Sequence, residues 1–305
     1  MRIFLFFVDG IGLGRGDPDV NPFARAHLPT LTQLTSGARW LQDLPRRDNT
    51  RALFVPTDAC LGIGGTPQSS TGQASLMTGR NVPRIIDGHY GPKPDARIGA
   101  VIRSESVVKK LTARGLRAGF LNAYPAGYLE KIATGVRLRS ANQLAMHVGG
   151  VPMRGPAALY DGTAVSGDLT GAGWREVLGY PDAPVITPFE AGQRLARLAQ
   201  AYDFSLFDYW LTDRMGHRCA MDAAVEELGR LDEVMAGLIS EWDDADGLIV
   251  LTSDHGNLED CSVRGHTQNR VPTLIVGDAR HEFAAGLNDL TDFAAAILQL
   301  LTGGD

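Results

Sequence analysis

Six consecutive apolar residues, Ile3 to Val8, run straight into Asp9-Gly10. A run of strand length with no polar face to offer solvent predicts a strand covered on both sides, as in a parallel sheet enclosed by helices. A carboxylate at the end of such a strand stands where α/β sheets gather ligands. Gly10, Gly12 and Gly14 invite a dinucleotide-binding reading. They lack the full glycine fingerprint, however, and Pro18 and Pro22 interrupt the helix that should follow.

The same grammar returns at Leu116–Asn122, Phe204–Asp213 and Gly247–His255, each an apolar run ending in polar residues. Between them, Met221–Ile239 carries Val225, Leu228, Met235 and Leu238 at near-helical spacing, and Ser106–Arg114 and Pro188–Ala201 also read as helices. Strands alternating with helices predict an α/β fold, a mostly parallel central sheet with helices on both faces. The stretch from Tyr124 to Thr187 is rich in Gly and Pro and has no long periodic helix. The expected division is a core of residues 1–123 and 188–305, with 124–187 as a small cap or insertion. Asp292–Leu301, apolar at Phe293, Ile297, Leu300 and Leu301 and followed by Gly303-Gly304, reads as a C-terminal packing helix.

A net charge of -6 with scattered basic residues gives no counterion-release affinity for phosphate backbones, so nucleic acid is not an expected partner. Cys60, Cys219 and Cys261 are odd in number and widely spaced, which fits neither a disulfide framework nor a structural zinc site. The N-terminal apolar run is far shorter than a signal segment or a membrane span. A cytoplasmic protein without a membrane partner is expected; the sequence is silent on oligomeric state.

Asp213 and His217 are four residues apart, so on a helical turn they share one face and can grip one ion. A surface pair at this spacing is commoner, and alone the motif decides nothing. Asp254-His255-Gly256-Asn257 follows the apolar run Leu248–Leu251 directly. Two ionisable residues at the end of a core strand must be exposed in a cleft, paired or metal-bound, because bare burial is costly. His266 lies in a loop before the apolar stretch Leu274–Val276. With Asp9, these make three carboxylates and three histidines at strand ends, and such mixed oxygen and nitrogen donors suit Zn²⁺ or Mn²⁺ better than calcium.

The block Pro67–Arg80 reads as a helix start after a glycine-rich loop, with Ser70 and Gln73 as a capping box and Gly79 as C-cap. A helix N-terminus also stabilises phosphate through backbone N–H groups and the dipole.

In their order along the chain, these four blocks resemble the alkaline phosphatase superfamily. The Thr252–Asn257 stretch, Gly265-His266-Thr267 and Asp213-x-Met-Gly-His217 look most similar to the cofactor-independent phosphoglycerate mutases and phosphopentomutases. Ser69-x-x-Gly72-Gln73 through Leu76–Arg80 is similar to the mutase serine motif and to the sulfatase motif, without the sulfatase cysteine. The resemblance covers residues 1–80 and the chain from Tyr202 onward.

It implies two divalent ions, Zn or Mn, one held by Asp213, His217 and His266, the other by Asp9, Asp254 and His255 with Ser69. Ser69 is implied as nucleophile, with Ser70 and Thr71 as neighbouring hydroxyls in reserve. The implied activity is metal-dependent phosphohydrolysis or phosphomutation of a small phosphorylated substrate through a phosphoserine. The short insertion departs from the mutases, so a phosphatase or phosphodiesterase is expected first, a phosphomutase second, and a non-catalytic binder of metal or phospholigand is the reading from another class. His89, Lys93, Arg97, Asn122 and Lys131 could contact substrate or serve only packing and surface.

Overall fold

The computed structural model describes residues 1–303. Its strands are β1 (Arg2–Val8), β2 (Arg47–Asp48), β3 (Ala52–Thr57), β4 (Ala118–Phe120), β5 (Asn122–Ala123), β6 (Val165–Ser166), β7 (Phe204–Tyr209), β8 (Gly247–Thr252) and β9 (Val271–Val276). Seven form one sheet in the order β2-β3-β9-β8-β1-β7-β4, and β5 and β6 pair separately.

The apolar run at the N-terminus becomes the middle of this sheet, parallel to β7 on one side and β8 on the other. Its alternate side chains serve both faces. Ile3, Leu5 and Phe7 join the core beneath the helices Ser69–Thr78, Ala96–Glu105, Ala141–Val148 and Asp292–Thr302. Phe4, Phe6 and Val8 join the core beneath Pro188–Ala199 and Met221–Ser240. Fully burying each such side chain is worth about 1.5–3 kcal/mol, which is why no polar residue interrupts the run.

The four strands β4, β7, β1 and β8 are parallel, whereas β9 runs antiparallel to β8 and β3 antiparallel to β9. The reversal of β9 positions the site. The residues after β1, β7 and β8 emerge at one edge of the sheet, and an antiparallel β9 begins at that same edge. His266, in the loop before β9, is thereby delivered beside Asp9, Asp213 and Asp254. The strand expected at Leu116–Asn122 is split into β4 and β5. The helices expected at Ser106–Arg114, Pro188–Ala201 and Met221–Ile239 are present as Val107–Ala113, Pro188–Ala199 and Met221–Ser240. The C-terminal helix ends on Gly303, with a left-handed φ of 80°; Gly304 lies outside the described residues.

Within 124–187, the helix Ala141–Val148 sends Ala141, Ala145 and Met146 into the main core. Leu159, Ala164, Trp174 and Ala183 instead form a small cluster of their own around Ala123. Among the described residues, no helix is long and apolar enough to cross a membrane.

Candidate metal centre

Each loop leaving the sheet edge is pressed against its neighbours, and glycine makes the approach possible. A Cβ on Gly72 would stand 2.7 Å from the Asp254 carbonyl oxygen, so the start of the Ser69–Thr78 helix lies directly on the Asp254-His255 turn. A Cβ on Gly10 would stand 2.7 Å from the Asp213 side chain. The glycines after β1 thus provide clearance for carboxylates and not a nucleotide loop; the helix that follows spans only Pro22–Arg25.

Two clusters result. In the first, His217 Nε2 lies 3.4 Å from Asp213 Oδ2 and 3.3 Å from His266 Nε2, which is 3.5 Å from Asp213 Oδ1. Asp213 sits in the short helix Leu211–Gly216, and His217 follows it, so the four-residue spacing does place both on one face. In the second, His255 Nε2 lies 3.0 Å from Ser69 Oγ, 3.3 Å from Asp9 Oδ1 and 3.7 Å from Asp254 Oδ1. Asp213, His217 and His266 offer donor atoms within 4.8 Å of one another, and so do Asp9, Asp213 and His255. Asp213 therefore stands between the clusters. The rings of His255 and His266 stack at 3.6 Å.

The donor chemistry fits a cation. His255 Nδ1 faces the Gly256 carbonyl at 3.3 Å, which assigns the proton there and leaves a lone pair on Nε2. That lone pair faces a serine oxygen and two carboxylates. Asp9 Oδ1 and Asp254 Oδ1 are buried without a hydrogen-bond partner among the described residues, a costly state for a carboxylate unless an ion supplies the missing partner. His266 is less decisive. Burial lowers its pKa, but the Asp213 carboxylate and the Pro67 carbonyl raise it further, so a protonated His266 paired with Asp213 would account for its geometry.

The ionisation of His255 and the carboxyls points the same way. Burial and then His266 push His255 down to about 3, so it stays neutral. Burial and then Asp213 push Asp254 up to about 7, and burial with Asp254 and Asp213 raises Asp9 well above the ordinary carboxylate range. Burial also acts to raise Asp213, yet His266, His255 and Asn257 outweigh it and hold it at about 2. Three carboxylates crowd one largely buried site with too little positive charge, and a divalent cation would remove that cost.

Ser69 opens its helix with Gln68 at the N-cap and no side-chain cap bond. The capping box expected from Ser70 and Gln73 does not form. Gln73 Nε2 donates to Asp254 Oδ2 at 3.1 Å, and Ser70 Oγ is buried without a partner among the described residues. Gly79 does cap the other end, with φ 71°. Thr71 Oγ1 donates to the Gln68 carbonyl at 3.0 Å; of the three hydroxyls, Ser69 is the one turned toward His255.

The sequence reading passes over Glu259, which is 1% exposed. Its Oε2 accepts from the backbone N–H of Gly12 at 2.9 Å and of Asn257 at 2.8 Å. Its Oε1 accepts from Thr267 Oγ1 and from Asn269 Nδ2 at 3.0 Å. One carboxylate thus ties together the loops that carry Asp9, His255 and His266. Gly12 and Gly256 leave room for it: a Cβ on either would fall within 2.3 Å of Oε1. Asn257 in turn donates to Asp213 Oδ1 at 2.7 Å. The available signal was a carboxylate near glycines whose spacing matched no nucleotide motif.

Beside Ser69 and Asp9 opens a cavity of about 580 Å³, lined by Lys93, Asn122 and Asp208 among others. Of the earlier contact candidates, Lys93 and Asn122 reach it. Arg97 pairs with Asp95 on the surface, Lys131 is exposed, and His89 is half-buried away from the lining.

A sequence model of the metalloenzyme superfamily matches residues 186–303. A 2,3-bisphosphoglycerate-independent phosphoglycerate mutase of Methylobacillus flagellatus is 27% identical over 41% of this chain and 26% of its own length. The chain thus spans about a quarter of that curated relative. Among solved structures, the PH0037 protein of Pyrococcus horikoshii superposes with a TM-score of 0.59 at 14% identity, covering 100% of this chain and 97% of that one. Alkaline phosphatase from the Antarctic bacterium TAB5 gives 0.55 at 13% identity, covering 100% and 98%. The C-terminal part of the chain, residues 186–303, is thus similar to the metalloenzyme superfamily, and the chain has the α/β fold seen in alkaline phosphatase.

Proposed function

We propose that the protein is a phosphatase or phosphodiesterase acting on a small phosphorylated metabolite, with Ser69 as nucleophile and two divalent ions, Zn²⁺ or Mn²⁺. Asp213, His217 and His266 would hold one ion; Asp9, Asp254 and His255, with Ser69 Oγ, would hold the other. The observation that carries this reading is the convergence of Ser69 Oγ, the His255 Nε2 lone pair and two unpartnered carboxylate oxygens at one buried site.

When bound, the two ions would lower the pKa of the serine hydroxyl and offset charge on the transferring phosphoryl group. Ser69 Oγ attacks phosphorus in line, the bond to the leaving oxygen breaks with its electron pair going to that oxygen, and a phosphoserine remains. Water then attacks phosphorus, the electron pair returns to Ser69 Oγ, and inorganic phosphate leaves. Gln73 holds Asp254 in place, and Glu259 fixes the three loops, so the donors are arranged before substrate arrives.

A phosphomutase is the second reading, favoured by the mutase relatives. There the alcohol, not water, would accept the phosphoryl group, which requires a site that keeps water out. Val177 and Leu178 line the cavity yet are 79% and 46% exposed, and such an open wall favours hydrolysis. Incubating the Mn²⁺- or Zn²⁺-loaded protein with a panel of phosphate esters tests the choice. Release of inorganic phosphate is expected; isomerised ester without free phosphate would refute the hydrolase reading.

A further inference from the structure

Lys93 enters the cavity on a loop fastened to the first turn of the Ser69–Thr78 helix. The Thr71 N–H donates to the Tyr90 carbonyl at 3.1 Å, and the Tyr90 N–H donates to Thr71 Oγ1 at 3.3 Å. A Cβ on Gly91 would stand 3.1 Å from Gln68 Cβ and 3.4 Å from the Ser69 nitrogen, so the loop lies directly on the start of that helix. Two residues later, Lys93 lines the same cavity as Ser69 and Asp9. These contacts fix the base of the lysine side chain relative to the serine.

The charge of Lys93 is not spent within the protein. The side chain is half-buried, and among the described residues it has no ion-pair partner. Burial lowers its pKa; Asp208 counters this from beyond ion-pair range, Arg137 adds to it, and Asp9 opposes it. Arg137 lines the cavity too, its guanidinium 4.7 Å over the Tyr128 ring, and likewise has no ion-pair partner among the described residues. A half-buried ammonium that faces a second cation is costly to hold without a close counterion. Lysine binds phosphate oxygens as a point charge. The anion that the fold would bring within its reach is a phosphoryl group at Ser69.

We propose that Lys93 is a catalytic residue that donates hydrogen bonds to a nonbridging oxygen of the transferring phosphoryl group. The inference rests on the phosphoryl-transfer reading of Ser69. A pair of metal ions clamps the attacking and leaving oxygens, while charge in the transition state is also spread over the three other oxygens on phosphorus. Lys93 meets one of these from the cavity side. It keeps its protons throughout and forms no covalent bond.

The test is a calorimetric titration of the Mn²⁺-loaded protein with inorganic phosphate, a probe without a leaving group, in the parent, Lys93→Met and Lys93→Arg. Lys93→Met is expected to bind phosphate at least about tenfold more weakly while holding as many Mn²⁺ ions as the parent. Lys93→Arg, which keeps a cationic donor, is expected to stay nearer the parent. On a phosphate ester, kcat/KM of Lys93→Met should fall about 100–1,000-fold. Ethylammonium should restore part of the activity lost in Lys93→Ala and leave the parent unchanged. A lysine that served packing alone would change the melting temperature without these effects. No phosphate binding by the parent, parent-like phosphate affinity in Lys93→Met, loss of Mn²⁺ from that variant, or no response of Lys93→Ala to ethylammonium would overturn the inference. Turnover at the parent rate by Lys93→Met removes the lysine and keeps the reaction. Weaker phosphate binding in Lys93→Met, with no ester turned over by the parent, keeps the phosphate contact and removes the reaction.

Discussion

Glu259 touches neither of the proposed ions, so its substitution separates loop positioning from ligation. In Glu259→Ala, the backbone N–H groups of Gly12 and Asn257 lose their acceptor at a position 1% exposed to solvent. A buried donor left unmet costs about 1–3 kcal/mol, so the pair costs about 2–6 kcal/mol. Thr267 and Asn269 lose partners as well, but their side chains can turn. Against a typical domain stability of about 5–15 kcal/mol the chain still folds, and at about 2–4 °C per kcal/mol its melting temperature should fall by at least about 4 °C in chelator. Because the same carboxylate joins the loops bearing Asp9, His255 and His266, Mn²⁺ affinity should fall about 10–100-fold. Glu259→Gln can keep its oxygen on the two backbone donors and turn its amide toward the Thr267 hydroxyl, so its loss should be about 1 kcal/mol or less. Differential scanning fluorimetry in chelator and calorimetric Mn²⁺ titration read the two effects separately. If Glu259→Ala melts with the parent and binds Mn²⁺ equally well, the carboxylate does not hold the loops and the reasoning fails.

Four further outcomes follow from the same structure. Burial pushes Asp208 up to about 6 from 3.8, against the opposing Lys93, with Asp9 nearby. A carboxyl raised on folding favours the folded chain below about pH 4 and loses that advantage as pH rises through 6, at a cost of up to about 3 kcal/mol at neutral pH. Asp208→Asn should therefore stabilise the protein at pH 7.5 and not at pH 4 in urea melts; an equal change at both would contradict the assignment. Gly72→Ala puts a Cβ 2.7 Å from the Asp254 carbonyl oxygen and should cost about 1–3 kcal/mol and weaken metal binding. Gly229→Ala, in open space within the helix Met221–Ser240, should gain up to about 1 kcal/mol; thermal melts that reverse this order would refute the packing argument. His217→Ala should leave one tightly held ion per chain where the parent holds two, as counted by plasma emission after dialysis.

The strand ends were legible because each announces itself locally: an apolar run stops at Asp9, at Asp254-His255, or just before Asp213. The sheet's parallel core and the helix at Met221–Ser240 follow from the same periodicity. The reversal of β9 was not legible, since strand direction is set by distant pairing with β8 and β3, and neither Val271–Val276 nor Ala52–Thr57 encodes it alone. The capping box was a local rule that tertiary contact overrode, because Gln73 gains more from the buried Asp254 than from its own helix end. Glu259 was invisible for a related reason: its role depends on the contact with Gly12, 247 residues away in the chain, which no local pattern announces. Asp208 left a trace that passed unread, a lone carboxylate within the apolar strand Phe204–Tyr209.

Ser69 is proposed to carry the phosphoryl group. Acid-quenching the Mn²⁺-loaded protein during turnover of a ³²P-labelled ester, followed by peptide mass spectrometry, tests it most directly. One phosphoryl group on Ser69 at substoichiometric level is expected, and none in Ser69→Ala. Label on Ser70 or Thr71, or steady release of phosphate by Ser69→Ala at the parent rate, would contradict it.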